Sequence, residues 1–366
     1  MHRRISQHLV QLGFDNVNAG VHMRLNDPTI DSVDPEIREA WLLEAIRAQI
    51  TYMRATVPFW HDRLSNAFVD ERRLECLADL ASVPVFTKAE LRATPPVVLL
   101  PGATRSELKI CRWTSGTSGR PTVNFWSETD WAALVAVTAR MIGRQAPMQA
   151  PTVFNVYSQA HVTGPLYNAA LRQLGAVVYD RSHHPEEVFS TLEQSELFTF
   201  DTIILPAKAA RGKGVGLGDL LAQDPNFLAR NQVRWWIGSS GTFDAETVER
   251  AQAQGVRVIT NLYGSSEFAL FAVSCTHEKG DYHVSQGHVL VEVVDHSGVP
   301  VQTGEFGHIV VTHLCGMDEI GNARNHGGTQ MLRLAAGDGA TLLNDPCTCG
   351  LTTPRLRGIR RITAID

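Results

Sequence analysis

The sequence predicts an α/β fold: largely parallel sheet flanked by helices, with a smaller antiparallel β part toward the C-terminus. Three observations carry this. Between about residues 108 and 265, short apolar runs alternate with amphipathic helical stretches. Beyond about residue 269 the helical period vanishes, and strand-like runs flank a Gly/Pro turn. Ahead of both, residues 1–94 carry helical spacing and cap signals.

The elements follow in order. Pro35–Met53 sets apolar residues at helical intervals, with Asp34 as N-cap. A second helical stretch runs from Asp70 to Leu80. Thr87 suits the cap of a short helix holding Glu90 and Leu91, and Pro95-Pro96 punctuates the chain. Candidate strands are Pro151–Val156, Ala176–Val178, Thr202–Leu205, Arg234–Ile237 and Val256–Thr260. Candidate helices between and beside them are Trp131–Arg144, Leu166–Leu174, Pro185–Gln194 and Ala245–Gln254. Val289–Val294 and Gly307–Thr312 read as antiparallel strands around Ser297-Gly298-Val299-Pro300.

The chain has 366 residues, enough for two domains or one lobed one at about 150 residues each. The expected division is a helical part at 1–107, an α/β part at 108–268 and a β part at 269–366. Hydrophobic residues are 44% and charged residues 19%, which excludes a disordered or fibrous chain. Lys+Arg is 33 against Asp+Glu 38, a net charge of −5, which argues against a nucleic-acid binder. No apolar run reaches the roughly 20 residues that span a bilayer. Met1-His2-Arg3-Arg4 is followed by a polar stretch instead of a secretory core, so a cytoplasmic location is expected. Six cysteines are too few for a disulfide scaffold.

Several motifs fail. Gly212-Lys213-Gly214-Val215-Gly216-Leu217-Gly218 fits neither a Walker A loop nor a dinucleotide fingerprint and is expected to be a mobile loop, structural or disordered. No Gly-x-Ser-x-Gly elbow and no His-Glu-x-x-His is present. One motif is informative: Thr114-Ser115-Gly116-Thr117-Ser118-Gly119-Arg120-Pro121-Thr122. Glycines let the backbone approach a polyphosphate, and successive N–H groups and hydroxyls can grip an anion. Strand-like residues on both sides suggest a loop on a rigid base. Two more segments end apolar strands: Gly238-Ser239-Ser240-Gly241 and Tyr263-Gly264-Ser265-Ser266-Glu267. A fourth is Gly337-Asp338.

In order and spacing, these four segments resemble the adenylate-forming superfamily of acyl-CoA synthetases, nonribosomal adenylation domains and luciferases. The phenylacetate-CoA ligase branch is similar also in its late Cys-x-Cys-Gly segment, and the likeness covers about residues 80–361. It implies the N-terminal lobe of these enzymes and ATP-dependent activation of a carboxylate as acyl-AMP, with pyrophosphate released. It assigns the β- and γ-phosphates to residues 114–119, with hydroxyls from Thr117 and Ser118. Glu267 would hold Mg²⁺, for which a hard carboxylate is suited. Tyr263 would lie on adenine, with Gly238–Gly241 along its other edge and Gly264, Ser265 and Ser266 beside it. Asp338 would accept from the ribose hydroxyls, Arg360 would hold a phosphate, and His161 would gate the carboxylate pocket. Glycines 238, 241 and 264 leave space for a flat ring, which favours an aromatic acid. The chain departs from the family at Ala335 and Ala336, where Arg and Thr are expected before Gly337-Asp338; Arg333 lies two positions before Ala335.

Cys347 and Cys349 form a tight pair, and Cys275 with His277 or His283 supplies a distant one, a set suited to tetrahedral Zn²⁺. The resemblance favours His283, giving Cys275, His283, Cys347 and Cys349; His313 and Cys315 are weaker candidates. The chain stops at residues 357–366, where the family's hinge would be, and no Lys follows Lys279. The expectation is therefore that the C-terminal catalytic domain is absent. Shortened members of this family serve secondary metabolism, which suggests a phenazine carboxylate passed to an acyl-accepting or reducing partner protein. An aryl-CoA ligase of the phenylacetate-CoA type and a non-catalytic nucleotide- or aryl-acid-binding protein remain alternatives, and a homodimer stays open.

Overall fold

The computed structural model describes residues 24–102, 107–113, 121–145, 150–180, 184–193, 199–209, 214–241, 243–319, 322–363 and 365. Among them the helices are α1 (Pro35–Thr56), α2 (Pro58–Asn66), α3 (Lys88–Ala93), α4 (Glu128–Gln145), α5 (Thr163–Gln173), α6 (Pro185–Glu193), α7 (Leu217–Gln223), α8 (Phe227–Arg230) and α9 (Ala245–Ala253). The strands are β1 (Leu108–Trp113), β2 (Val123–Ser127), β3 (Thr152–Asn155), β4 (Val177–Asp180), β5 (Thr202–Ile204), β6 (Trp235–Gly238), β7 (Val258–Ser265), β8 (Ala269–Ser274), β9 (Asp281–Val284), β10 (Val289–Val294), β11 (Phe306–His313), β12 (Cys315–Met317), β13 (Ala323–Asn325), β14 (Leu334–Leu343) and β15 (Arg355–Arg361). None of the described helices is long and apolar enough to cross a membrane. The chain divides into two compact units. One comprises Met1–Val137, Ser266–Phe268 and His277–Asp366; the other comprises Thr138–Ser265 and Ala269–Thr276.

The second unit holds the mixed sheet. Its strands run in the order β8-β7-β6-β5-β3-β4. All neighbours from β7 to β4 are parallel, while β8 returns antiparallel to β7. β3 to β6 fall within two residues of the runs predicted from sequence; β7 starts two residues later than expected and runs on to Ser265. Phe154, Phe200, Leu205 and Trp236 pack with Leu217, Leu220, Phe227 and Leu228 in one buried cluster. Helices α7 and α8 carry the last four and are too short for a readable period. Helix α7 starts inside the Gly-rich patch, where Gly216 N–H donates to Asp219 (2.8 Å).

The order of strands fixes where a ligand can sit. β3 pairs with β4 on one side and with β5 on the other. The chain therefore reverses its march across the sheet at β3, and its loops leave on opposite sides there. In open α/β sheets the crevice at such a reversal, past the carboxyl ends of the strands, is the usual ligand site. Here those ends lead into Tyr157–His161 after β3 and Gly238–Gly241 after β6.

In the first unit, β10-β11-β14-β15-β9 form an antiparallel run. Helix α1 starts at Asp34, whose carboxylate accepts the Glu36 N–H (2.9 Å). It buries Ile37, Trp41, Leu42, Ala45, Ile46, Ile50 and Met53 on one face. The predicted helix at Asp70–Leu80 is instead two 3₁₀ turns, Glu71–Arg73 and Leu77–Ser82. Asp70 bonds the Arg72 N–H, and Asp79 reaches back to the N–H groups of Glu75 and Cys76. Such local bonds compete with helix propagation.

Helix α3 is capped by a reciprocal pair: Glu90 N–H donates to Thr87 Oγ1 (3.1 Å), and Thr87 N–H to Glu90 Oε2 (2.7 Å). Just before it, Phe86 exchanges backbone bonds with Arg333 and Ala335, both 2.9 Å. The start of α3, and with it Lys88, is thereby tied to β14. Removing the cap in Thr87→Ala should lower stability by about 1 kcal/mol in urea unfolding; an unchanged midpoint would show that the cap contributes nothing.

Candidate active site

The phosphate-loop candidates Thr114, Ser115, Gly116, Thr117, Ser118 and Gly119 lie outside the described residues. Their flanks are described: β1 and β2 pair antiparallel, with Trp113 opposite Val123. On β2, Asn124 Nδ2 donates to the Ser266 carbonyl (3.2 Å), which ties this strand to the residue before Glu267.

Glu267 is only 4% exposed, and Lys88 Nζ lies 3.2 Å from its Oε1 and 3.4 Å from its Oε2. The next residue, Phe268, packs against His313 with ring centroids 4.5 Å apart. His313 stacks in turn on His326 at 3.9 Å and 12°. His326 Nδ1 is 3.2 Å from the buried Asp130 carboxylate. Burial pushes both imidazoles down, that of His313 well below the ordinary range with further depression by His326 and His288; Asp130 opposes the shift at His326. Both rings are therefore neutral in the folded protein.

On β14, Gly337 at φ +81° leads into Asp338. Asp338 sits opposite Arg361 in the β14–β15 register, with Arg361 Nε 3.3 Å from its carboxylate. Arg360 faces Gly339 and lays its guanidinium 3.9 Å over the Phe306 ring. Arg333 does not stand in for the Arg missing at Ala335. Its side chain is buried on Glu292 (3.1 Å) and the carbonyls of Val83 and Gly298 (both 2.6 Å), and its backbone lies at φ +49°.

In the second unit, Tyr263, Gly264 and Ser265 end β7, and chain continuity carries them into Ser266 and Glu267. The Tyr263 ring meets Phe271 edge-on at 5.2 Å. A Cβ at Gly264 would stand 1.8 Å from the Ala269 carbonyl oxygen, so only glycine lets β7 and β8 approach here. A Cβ at Gly238 would meet the Leu205 carbonyl oxygen and Phe243 Cζ, both at 2.6 Å. These two glycines therefore serve close backbone packing and leave no room for a ring. Gly241, at φ +147° with nothing within 4 Å of a Cβ, does leave room. His161 Nδ1 lies 2.8 Å from Thr163 Oγ1, which orients the ring at the entry to α5.

His283, Cys347 and Cys349, all in the first unit, place their ligand atoms within 4.8 Å of one another, and Cys275 follows β8 in the second unit. Cys349 Sγ is 3.2 Å from His283 Nε2, and His283 Nδ1 is 2.9 Å from Thr353 Oγ1. That outer partner orients the imidazole with Nε2 toward the thiols, the arrangement metal-binding histidines use. His277 is outside this cluster. His313 belongs to the imidazole stack, and Cys315 Sγ bonds the Gly287 carbonyl.

No protein-family model matches the chain. Phenylacetate-coenzyme A ligase of Thermus thermophilus is 26% identical over 347 residues, spanning 90% of this chain and 71% of that protein. The enzyme of the same name from Pseudomonas putida is 26% identical over 282 residues, 74% of this chain and 61% of its own length. That from Aromatoleum evansii is 26% identical over 300 residues, 79% and 64% respectively. The chain thus spans less than two thirds of the latter two. Among solved structures, 2-hydroxyisobutyryl-CoA ligase with 2-HIB-AMP and CoA in the thioesterification state matches 96% of this chain and 76% of its own at TM-score 0.77 and 20% identity. The same ligase in the postadenylation state with R3-HIB-AMP also gives 0.77 over 95% of this chain. The chain has the fold of these acyl-CoA ligases.

On this ligase fold, three residues beside the site segments escaped the sequence reading. Lys88 pairs with Glu267 from 179 residues away. Arg361, not the neighbouring Arg360, stands beside Asp338. Asp130 anchors the stack behind Glu267. The stack also predicts pH behaviour. An imidazole whose folded pKa is depressed binds fewer protons folded than unfolded, so stability is full above the ordinary value of about 6.5 and falls as pH drops below it. The slope approaches about 1.4 kcal/mol per pH unit for each imidazole that stays neutral. Urea unfolding between pH 7.5 and 5.5 should show this loss, and His313→Phe should flatten it; an equal slope in both proteins would remove the stack as its source.

Proposed function

We propose that the chain activates an aromatic carboxylate by adenylation. A carboxylate oxygen of the acid attacks the α-phosphorus of ATP, the bond from that phosphorus to the bridging oxygen breaks, and pyrophosphate leaves with the bond electrons. The observation that carries this reading is the Glu267–Lys88 pair, on the turn that directly follows Tyr263–Ser265. Glu267 is a buried carboxylate paired with a half-buried Lys88, and an ion pair that is costly to desolvate is weak support for a purely structural role. Glu267 would hold Mg²⁺, which when bound neutralises triphosphate charge. Lys88 supplies a fixed positive charge beside it. Residues 114–119, Thr117 and Ser118 among them, would grip the outer phosphates. Tyr263 and the Gly238–Gly241 segment would bracket adenine, and Asp338, steadied by Arg361, the ribose. His161 would border the acid. What supports an aryl acid is the name shared by three relatives, phenylacetate-coenzyme A ligase, and the open face at Gly241.

A phenazine carboxylate of secondary metabolism, handed as its adenylate to a partner protein, is the narrower form of this proposal. Transfer to CoA is the second reading, favoured by the fold shared with a CoA-bound ligase. Acid-dependent exchange of labelled pyrophosphate into ATP tests the first step. Exchange should occur with at least one member of a panel of aryl acids that includes phenazine carboxylates, and Glu267→Gln should slow it about 100-fold or more. Absence of exchange across the panel would leave nucleotide and acid binding alone.

Zinc at Cys275, His283, Cys347 and Cys349 completes the proposal. Two or more thiolates with an imidazole suit this ion, and a set closed by four protein ligands is structural. Purified protein should carry about one zinc per chain, and chelation should lower its melting temperature. Metal analysis finding only traces would remove the site.

A further inference from the structure

We propose that the Tyr157 hydroxyl is a positioning group that locks the strand end carrying Gly238–Gly241 to the strand end carrying His161, and thereby sets the geometry for the aryl acid; this rests on the adenylation reading above. One side-chain oxygen serves as a peptide's pairing partner. Ser239 N–H donates to Tyr157 Oη (2.7 Å), Tyr157 O–H donates to the Ser239 carbonyl (2.8 Å), and Ser239 Oγ is 3.2 Å away. The ring leaves the carboxyl end of β3, and its tip reaches the carboxyl end of β6. In strand order, β5 lies between them. Tyr157 therefore spans the ends of the sheet beside the reversal point at β3.

Both ends of this strut are fixed. At its base, Tyr157 N–H donates to Asn155 Oδ1 (2.9 Å), and Asn155 Nδ2 holds the Gly164 carbonyl (3.1 Å) and Asn168 Oδ1 (2.7 Å). His161 lies within the loop so closed. At its tip, the held segment is strained: Ser240 lies at φ +71°, in the left-handed region a non-glycine residue seldom adopts. Such strain persists only where the surroundings over-determine it. They do so here: Asn261 Nδ2 grips the Gly241 carbonyl (2.9 Å), and Phe243 stacks flat on Trp236 at 4.0 Å. Burial pushes the Tyr157 phenol up to about 12, so the hydroxyl keeps the proton it donates. Without that hydroxyl, the Ser239 N–H and carbonyl would lose their partner, and the strained turn would relax.

Tyr157→Phe removes only the oxygen and keeps the ring packed beside Tyr167 (5.4 Å). In pyrophosphate exchange the acid's KM should rise about 10-fold or more, with kcat changed far less, since a displaced segment weakens positioning before chemistry. Tyr167→Phe, whose hydroxyl makes no hydrogen bond to the Ser239 backbone, is the control and should match the parent. Amide hydrogen exchange reads the lock without activity: the Ser239 amide should exchange faster in Tyr157→Phe. An acid KM within twofold of the parent, or unchanged Ser239 exchange, overturns the proposal. A parent that neither exchanges pyrophosphate nor binds any aryl acid in calorimetry overturns the adenylation reading instead, and the acid-positioning role falls with it.

Discussion

Asp130 is 1% exposed, and accepts N–H groups from Ser127 (2.8 Å), Gly327 (2.9 Å) and Gly328 (2.7 Å), with His326 beside it. A buried carboxylate so supplied with donors is satisfied without water. The first unit's part of the site depends on it. Its backbone partners join β2, which follows the phosphate-loop candidate, to the Gly327–Gly328 segment. Gly328 must lack a side chain, because a Cβ there would stand 2.1 Å from the Phe125 carbonyl oxygen. Gln49 extends the network, accepting the His326 N–H and donating to Gln330. With His326 thus fixed, the stack through His313 to Phe268 gives the Glu267 turn a rigid back wall. The wall is buried, so on that side solvent does not screen the Lys88–Glu267 attraction.

Much of the fold was legible because its signals are local or continuous. Parallel strands buried on both faces read as unbroken apolar runs, which is why Thr202–Ile204 and Trp235–Gly238 stand close to where the sequence puts them. The caps at Asp34 and Thr87 are legible because each bonds residues two or three positions away. The pair Cys347 and Cys349 could be read from spacing, while its distant partners needed a resemblance to choose His283 over His277. Lys88, Asp130 and Tyr157 carry no comparable signal. Their partners lie at Glu267, at Gly327–Gly328 and at Ser239, far along the chain, and no period or spacing links such positions.

The glycines show how one residue type misleads when read alone. Gly238, Gly241 and Gly264 all suggest room for a flat ring. Two of them are instead demanded by backbone oxygens, those of Leu205 and Ala269, pressing where a Cβ would be. Sequence gives the absence of a side chain but not what fills the gap. The same limit applies to Arg333, which stands two positions before the place where the family's Arg is expected. Its guanidinium is enclosed by Glu292 and two carbonyls, and burial of that carboxylate against it raises the Glu292 pKa despite the charge.

The nucleotide end of the proposed site follows from that enclosure. With Ala335 and Ala336 buried and apolar and Arg333 committed to Glu292, the strand leading to Gly337 offers no cation of its own. The positive charge beside Asp338 comes from the neighbouring strand instead, through Arg361. That guanidinium is largely exposed, so its pairing with Asp338 is screened and weak in the absence of a ligand. A weak pair is easily rearranged, which would free the Asp338 oxygens for the ribose role proposed for them. At the other end, Glu267 is buried and Lys88 half-buried, so that pair is the more fixed of the two. The proposed site therefore combines a preorganised charge pair for the triphosphate with an adjustable one for the nucleoside, a division that lets binding close around the ribose while the phosphate groups meet charges already in place.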